Sequence, residues 1–402
     1  MSKKVFVDTN ILLSPTFNFN DYEKVYISIT TIEELDGLKK SDEVGYLARQ
    51  AIKNIENSKN KEIILYGSYS KIDFLEHKND NTILGMAYTT YCSYNDLLFL
   101  TDDLNLKVKA DSIGLPCERY KFKEENFELY KGYKEVSLSE YEMAVHYECP
   151  VNKWGLNINE YLIIKNDDGE IVDRQCWTEK GFRPINGKPF KSMYLGDIKP
   201  KDVYQQLAMD SLTNNQFTIL TGYAGSAKSL LSLAYIMQQL QNNKINKCVV
   251  VFNPVKLKNN EQLGYYSGNR TEKLLQNSIG GILSSKLGDM IMVETLISQG
   301  KLMIVPTSDI RGIEISERDC IFVTEAQNTD AYTMKTIIQR ATEGCKVIVE
   351  GDVEEQQDIR HCSKKNNGMI RAINAFKGSE LFACINLQNI YRSKLADIAQ
   401  NM

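Results

Sequence analysis

Residues 217–237, FTILTGYAGSAKSLLSLAYIM, constrain the chain more than any other stretch. An apolar run closes at Thr221, a loop of small residues follows, and beyond Lys228 and Ser229 apolar residues recur at helical spacing. In such a strand, loop and helix, backbone N–H groups close around phosphate oxygens and the helix N-terminus adds partial positive charge. The pattern G-x-x-x-x-G-K-[ST] is filled by Gly222, Lys228 and Ser229. Tyr223, Ala224, Gly225 and Ser226 span the loop, and Ala227 stands where the second glycine belongs. Lys228 is placed to reach the β- and γ-phosphates of ATP, and the Ser229 hydroxyl to meet Mg²⁺. An ordinary Gly-rich strand-to-helix turn is the competing reading.

A chain of 402 residues has room for two or three domains. Its formal net charge of −4 argues against a globally basic nucleic-acid coat but leaves room for a local basic groove. Nine cysteines without a C-x-x-C pair, and three histidines, disfavour a zinc site and suggest reduced core thiols in a cytoplasmic protein. The basic start MSKKVFVDTNILL is broken at Asp8 and Asn10, which speaks against a signal peptide, and no apolar run is long enough to cross a bilayer.

Over residues 1–130, strands are expected at 3–7, 24–31 and 96–103, and helices at 80–92 and 105–114, which alternate as in a parallel sheet. Asp8 and Asp103 end strands, Glu34 follows one closely, and Asp80 is the expected N-cap of its helix. Carboxyl ends of parallel strands line one crevice, and four carboxylates crowded there repel one another unless a divalent cation joins them. One or two Mg²⁺ or Mn²⁺ ions would activate water and offset charge on a phosphodiester, with Asn10 and Thr101 orienting the acids. Singly, each acid has a plainer role: Asp80 as a helix cap, Glu34 on a solvated face, Asp102 or Asp103 in a turn.

Residues 131–202 read as a small β-rich module and an extended linker. The stretch 157–177 alternates around an Asp-Asp-Gly turn, as in a β-hairpin. Trp177, Phe182, Arg183, Phe190, Lys191 and Tyr194 suit either a single-stranded nucleic acid or the core and rim of a small sheet. From 203 to 402, apolar runs at 246–254, 301–306, 319–325 and 345–352 predict a doubly wound sheet around the loop. Glu325 is placed as base, and Thr324 stands where an aspartate partner for Mg²⁺ is expected. Asp352 suits a γ-phosphate sensor or a strand-end turn, and Arg392 a transition-state finger or an exposed ion pair.

In order, VDTNILL, TTIEELDGLK, Asp80 and LTDDLNLKVKADSIGL resemble the PIN-domain nucleases, with Asp103 on the family's position. That resemblance implies metal-dependent cleavage of single-stranded RNA by Asp8, Glu34, Asp80 and Asp103. The stretches YQQLAMDSL, GYAGSAKSLLSLA, SDIRGIEI, EAQNTDAYTMKTIIQRATEGCKVIVEGD and YRSKLADIA resemble the PhoH family of ATPases. It implies an ATP-dependent RNA helicase in a hexameric ring, with Gln205 on the adenine and Arg311 on nucleic acid or a neighbouring subunit. Ala227, Thr324, Asn253 before Pro254, and GDVEEQQD, whose sensor glutamine becomes Gln356 or is replaced by Glu355, depart from that pattern. Two readings stay open, an RNA-remodelling ATPase joined to a nuclease and a nucleotide-binding scaffold with little hydrolysis; a small-metabolite kinase is a weaker third. The expected fold class is α/β throughout: a PIN-like domain, a β-rich module and a P-loop ATPase domain.

Overall fold

Strands whose consecutive residues are all apolar can be buried on both faces, and the central strands of both large sheets are built that way. The computed structural model describes residues 3–14, 17–40, 44–66, 79–94, 96–120, 129–185, 187–253, 278–353, 362 and 367–391. The chain divides into two compact units, Met1–Glu128 and Leu129–Met402. Among the described residues no helix is long and apolar enough to cross a membrane.

In the first unit β1 (Lys4–Val7), β2 (Lys24–Ser28), β3 (Lys61–Ile64), β4 (Leu97–Leu100) and β5 (Cys117–Glu118) form one sheet in the order β3-β2-β1-β4-β5. Every pairing is parallel. Helices α1 (Thr9–Leu13), α2 (Ile29–Leu38), α3 (Gly45–Asn57), α4 (Asn79–Tyr94) and α5 (Leu104–Ser112) connect and cover it. Val5 and Val7 pack with Ile11, Leu35 and Ala51, while Phe6 packs with Ile83, Leu84 and Phe99. Alternate residues of one strand thus feed cores on opposite faces. The strand expected through Thr31 stops at Ser28, whose hydroxyl accepts from the Thr31 amide at 2.9 Å and starts α2.

The second unit opens with a four-stranded sheet, β6 (Tyr133–Ser137), β7 (Tyr161–Lys165), β8 (Ile171–Thr178) and β9 (Gly181–Pro184), with α6 (Glu140–Glu148) between β6 and β7. β7 and β8 make the expected antiparallel hairpin, but β6 pairs with β7 in parallel. The stretch expected to be an extended linker instead forms a hairpin, β10 (Phe190–Ser192) with β11 (Gly196–Ile198). Phe190 is buried, and its ring meets that of Tyr235 edge-on at 5.6 Å. The aromatic and basic residues of this stretch are largely structural. Trp177 packs on Phe182 at 4.9 Å, Lys191 pairs with Asp197 at 3.2 Å, and Arg183 grips the buried Asp210 carboxylate at 2.9 and 2.6 Å.

The remaining strands are β12 (Phe217–Gly222), β13 (Cys248–Phe252), β14 (Leu302–Pro306), β15 (Cys320–Val323), β16 (Lys346–Gly351) and β17 (Phe382–Leu387), in the order β14-β13-β15-β16-β12-β17. All five pairings are parallel. Helices α7 (Val203–Asn214), α8 (Lys228–Gln241), α9 (Ser278–Leu287), α10 (Met290–Ser298), α11 (Ala331–Ile338) and α12 (Gly368–Phe376) accompany it. One core gathers Leu220, Val250 and Ile348, and the other Ile219, Val249 and Val349, as in a doubly wound sheet. Just before β6 the chain lies against β17: the Asn386 amide donates to the Lys131 carbonyl at 2.9 Å. A Cβ on Gly132 would come within 1.5 Å of the Cys384 carbonyl oxygen, so that approach requires glycine. Six cysteines are buried, whereas Cys92 and Cys149 are exposed and Cys117 is half-buried, so the thiols are not uniformly core residues.

Candidate functional site

Each unit carries a candidate site at the carboxyl ends of its parallel strands. In the first, Asp8 follows β1 and is 4% exposed. Its Oδ1 accepts from the Thr9 amide at 2.7 Å and its Oδ2 from the Thr101 hydroxyl at 2.7 Å. The Thr9 hydroxyl in turn donates to Glu34 Oε2. Asp103 is the N-cap of α5, its Oδ1 accepting from the Asn105 and Leu106 amides at 2.7 and 3.0 Å. Among the described residues Asn10 is paired with backbone rather than with a carboxylate, its Oδ1 accepting from the Asp102 amide at 3.3 Å. Asp80 lies in the first turn of α4, which begins at Asn79, and is not its N-cap.

Burial pushes the Asp8 carboxyl up to about 6, against the lowering effect of the Thr101 and Thr9 hydrogen bonds, and the charges of Asp80 and Glu34 push the same way. Asp8, Glu34 and Asp80 therefore share one field, and their hard oxygens are the donors Mg²⁺ or Mn²⁺ takes. As the side chains stand, no three His, Cys, Asp or Glu residues among those described are gathered to hold an ion. Two of the acids are turned instead toward threonine hydroxyls.

In the second unit the loop 223–227 joins β12, which lies between β16 and the edge strand β17, to α8. Gly222 has φ 131°, and a Cβ there would meet the Leu387 carbonyl oxygen at 2.3 Å. Ala227 adopts the left-handed region, φ 76° and ψ 18°, immediately before α8. The departure from glycine is thus a backbone strain of about 1–2 kcal/mol. Lys228 bends back on the loop, donating to the Gly222 and Tyr223 carbonyls at 2.6 and 2.8 Å. The Ser226 hydroxyl and the Gln205 Nε2 are buried without a hydrogen-bond partner among the described residues. Orphaned donors of this kind are unusual unless a ligand completes them.

Gln205 borders a cavity of about 600 Å³ that is also lined by Lys228, Ser229, Glu325, Asp352 and Tyr391 among others. That size suits a nucleotide. Gln205 Oε1 accepts from the Lys201 amide at 2.9 Å, and the Tyr391 amide donates to the Gly225 carbonyl at 3.0 Å.

Glu325 is exposed, in the left-handed region at φ 51°, and its carboxylate accepts from Gln327 Nε2 at 2.7 Å. The other end of that amide accepts from the Asp352 backbone N–H at 3.2 Å, so Gln327 links the two acids. Sequence reasoning missed Gln327, and it missed Glu350. Glu350 Oε2 accepts from the Ser229 hydroxyl at 3.0 Å and Oε1 from the Thr324 hydroxyl at 2.6 Å. Burial raises its pKa, opposed chiefly by Lys228. The available signal was an acid inside the apolar run CKVIVEGD. Arg311 Nη2 donates to the Tyr332 hydroxyl, and its guanidinium lies 5.6 Å from that ring's centroid. Arg392, Glu355 and Gln356 lie outside the described residues.

The family described as PhoH-like protein matches residues 197–402, and the PIN domain matches residues 5–121. Protein PhoH2 of Bacillus subtilis (strain 168) is 28% identical, with 100% of both chains covered. Protein PhoH2 of Thermobispora bispora is 22% identical, covering 98% of this chain and 95% of its own. The VapBC2 structure from Rickettsia felis, bound to a promoter DNA fragment, overlays 29% of this chain and 98% of its own at 18% identity, with a TM-score of 0.22. With the PhoH match spanning half its length, the chain belongs to the PhoH-like family and carries a PIN domain ahead of its P-loop ATPase region.

Proposed function

We propose that the chain joins a metal-dependent ribonuclease in its first unit to ATP-dependent remodelling of single-stranded RNA in its second. The observation that carries the nuclease half is Asp8: buried at a strand end, in the field of Asp80 and Glu34, with its carboxyl pushed up to about 6. A carboxylate kept at that expense is one a divalent cation would return to its charged form. Asp8, Glu34 and Asp80 would hold Mg²⁺ or Mn²⁺, with Asp103 beside them, once Glu34 exchanges its Thr9 contact for the ion. The ion would supply an activated water and offset the charge developing on the phosphodiester. Thr101 and the Thr9 amide fix the Asp8 carboxylate on both oxygens, so its orientation needs no rearrangement.

In the second unit ATP would occupy the cavity beside Gln205, whose unpartnered Nε2 suits an adenine nitrogen. Lys228 would turn from the loop carbonyls to the phosphates, Ser229 would meet Mg²⁺, and Glu325 would act as base, oriented by Gln327. Asp352 would sense the γ-phosphate, and Arg392 would serve as the finger. Incubating single-stranded RNA with Mn²⁺ tests the nuclease half: wild type cleaves and Asp8→Asn does not, and equal cleavage by both refutes it.

A second reading is a nucleotide-binding scaffold, in a ring or otherwise, that gates the nuclease and hydrolyses little. The left-handed Ala227 and the uncharged Thr324 favour it. ATP turnover that disappears in Lys228→Ala rules it out.

A further inference from the structure

In a P-loop site an acid at a neighbouring strand end faces the loop's hydroxyl residue and shares the nucleotide's Mg²⁺ with it. Here that position is Thr324, buried and uncharged. β15 and β16 run parallel with Val323 level with Val349, so the next residues, Thr324 and Glu350, stand side by side. On the other side of β16, Glu350 is level with Leu220 of β12, the strand that leads into the loop. The Glu350 carboxylate therefore lies between the two hydroxyls, 2.6 Å from Thr324 Oγ1 and 3.0 Å from Ser229 Oγ.

We propose that Glu350 is the metal-holding carboxylate of this site, bringing from the adjoining strand the charge that position 324 lacks. The inference rests on the nucleotide reading of the loop. A packing role does not account for the acid. Glu350 is 2% exposed in a strand where Val347, Ile348 and Val349 are also buried. Removing a carboxylate from water there is expensive, and a glutamine would satisfy both hydroxyls at lower expense. The Lys228 ammonium donates to the Gly222 and Tyr223 carbonyls. The charge of Lys228 favours the ionised Glu350 and that of Glu325 opposes it. Mg²⁺ on a nucleotide needs only one or two carboxylates besides phosphate oxygens and water, and Glu350 with Ser229 meets that need directly or through a bound water.

Thr324 and Glu350 are then the two halves of a relocated charge, which makes the inference testable by moving it back. The readout is the ratio of the ATP dissociation constants without and with Mn²⁺, measured on the full chain by equilibrium binding, with the electron-spin signal of Mn²⁺ as a second measure. Mn²⁺ tightens binding in wild type; in Glu350→Gln the ratio falls by on the order of ten-fold. It returns in the double variant Thr324→Asp/Glu350→Thr, and the Mn²⁺ signal changes with it. A ratio that survives Glu350→Gln, or one that stays lost in the double variant, overturns the proposal. Wild type that binds no nucleotide overturns the reading of the whole cavity, a distinct outcome. Wild type that binds ATP with no Mn²⁺ dependence overturns the Glu350 assignment alone.

Discussion

Replacing Asp8 with asparagine keeps the shape of the side chain and removes its charge. The carboxyl is raised from 3.8 to about 6, with burial the largest cause. A group that holds its proton more tightly when folded adds stability that is fully present below pH 3.8 and is lost as the pH rises through about 6. At about 1.4 kcal/mol per pH unit the shift corresponds to about 3 kcal/mol withheld from the first unit above pH 7. Asparagine escapes that loss. Its carbonyl can accept from the Thr9 amide while its amino group donates to Thr101, at a cost of about 1 kcal/mol for the rearranged hydrogen bonds. The variant is therefore expected to be more stable than wild type by about 2 kcal/mol above pH 7, with the gap closing as the pH approaches 4. Tryptophan fluorescence does not report this, because Trp154 and Trp177, the only two tryptophans, both lie in the second unit. Amide exchange along β1 and β4 does. Mn²⁺ should narrow the gap by stabilising wild type while leaving the variant unchanged. A variant less stable than wild type from pH 5 to 8, or a gap that does not change with pH, would refute the argument that buried charge governs this site.

Ala227→Gly should stabilise the second unit by about 1 kcal/mol in chemical denaturation, because a left-handed φ of 76° strains alanine and not glycine. Lys346 is buried, its ammonium donating to the Leu212 and Asn215 carbonyls, and burial lowers its pKa from 10.5 to about 7. Its contribution is lost as the pH falls through about 7, so wild type should gain stability relative to Lys346→Met between pH 7 and 10, by at most about 5 kcal/mol; pH titration of the two unfolding curves checks it. Arg183→Ala leaves Asp210, 3% exposed in its side chain, with the Tyr161 hydroxyl at 2.9 Å and the Asn214 amide at 3.1 Å but, among the described residues, no paired cation, and should cost about 3–5 kcal/mol in urea unfolding followed by tryptophan fluorescence.

Features encoded in local runs were legible without coordinates. Every expected strand of the second unit from β12 to β16 forms, because a strand buried on both faces must be apolar along its whole length. In the first unit the short apolar runs at β1 and β4 identified strands, but α1, α3, β3 and β5 went unread, being brief or weakly patterned. The hairpin of β10 and β11 does not stand out in the sequence, because its prolines and glycines signal turns as readily as extended chain. Its place is decided by Phe190 packing on Tyr235. β17 was missed because FACINL is a short apolar run that only its pairing with β12 marks as a strand.

By itself the sequence determined the P-loop, the order of the acids and the parallel α/β class, since each depends on residue types at fixed spacing along one segment. Only the tertiary structure decided which groups meet. Thr101 reaches Asp8 across 93 residues, and Glu350 reaches Ser229 across 121. Such meetings are set by strand order and register. The register that aligns Val323 with Val349 brings an acid beside the threonine one step further on, a neighbour that spacing along the chain does not reveal.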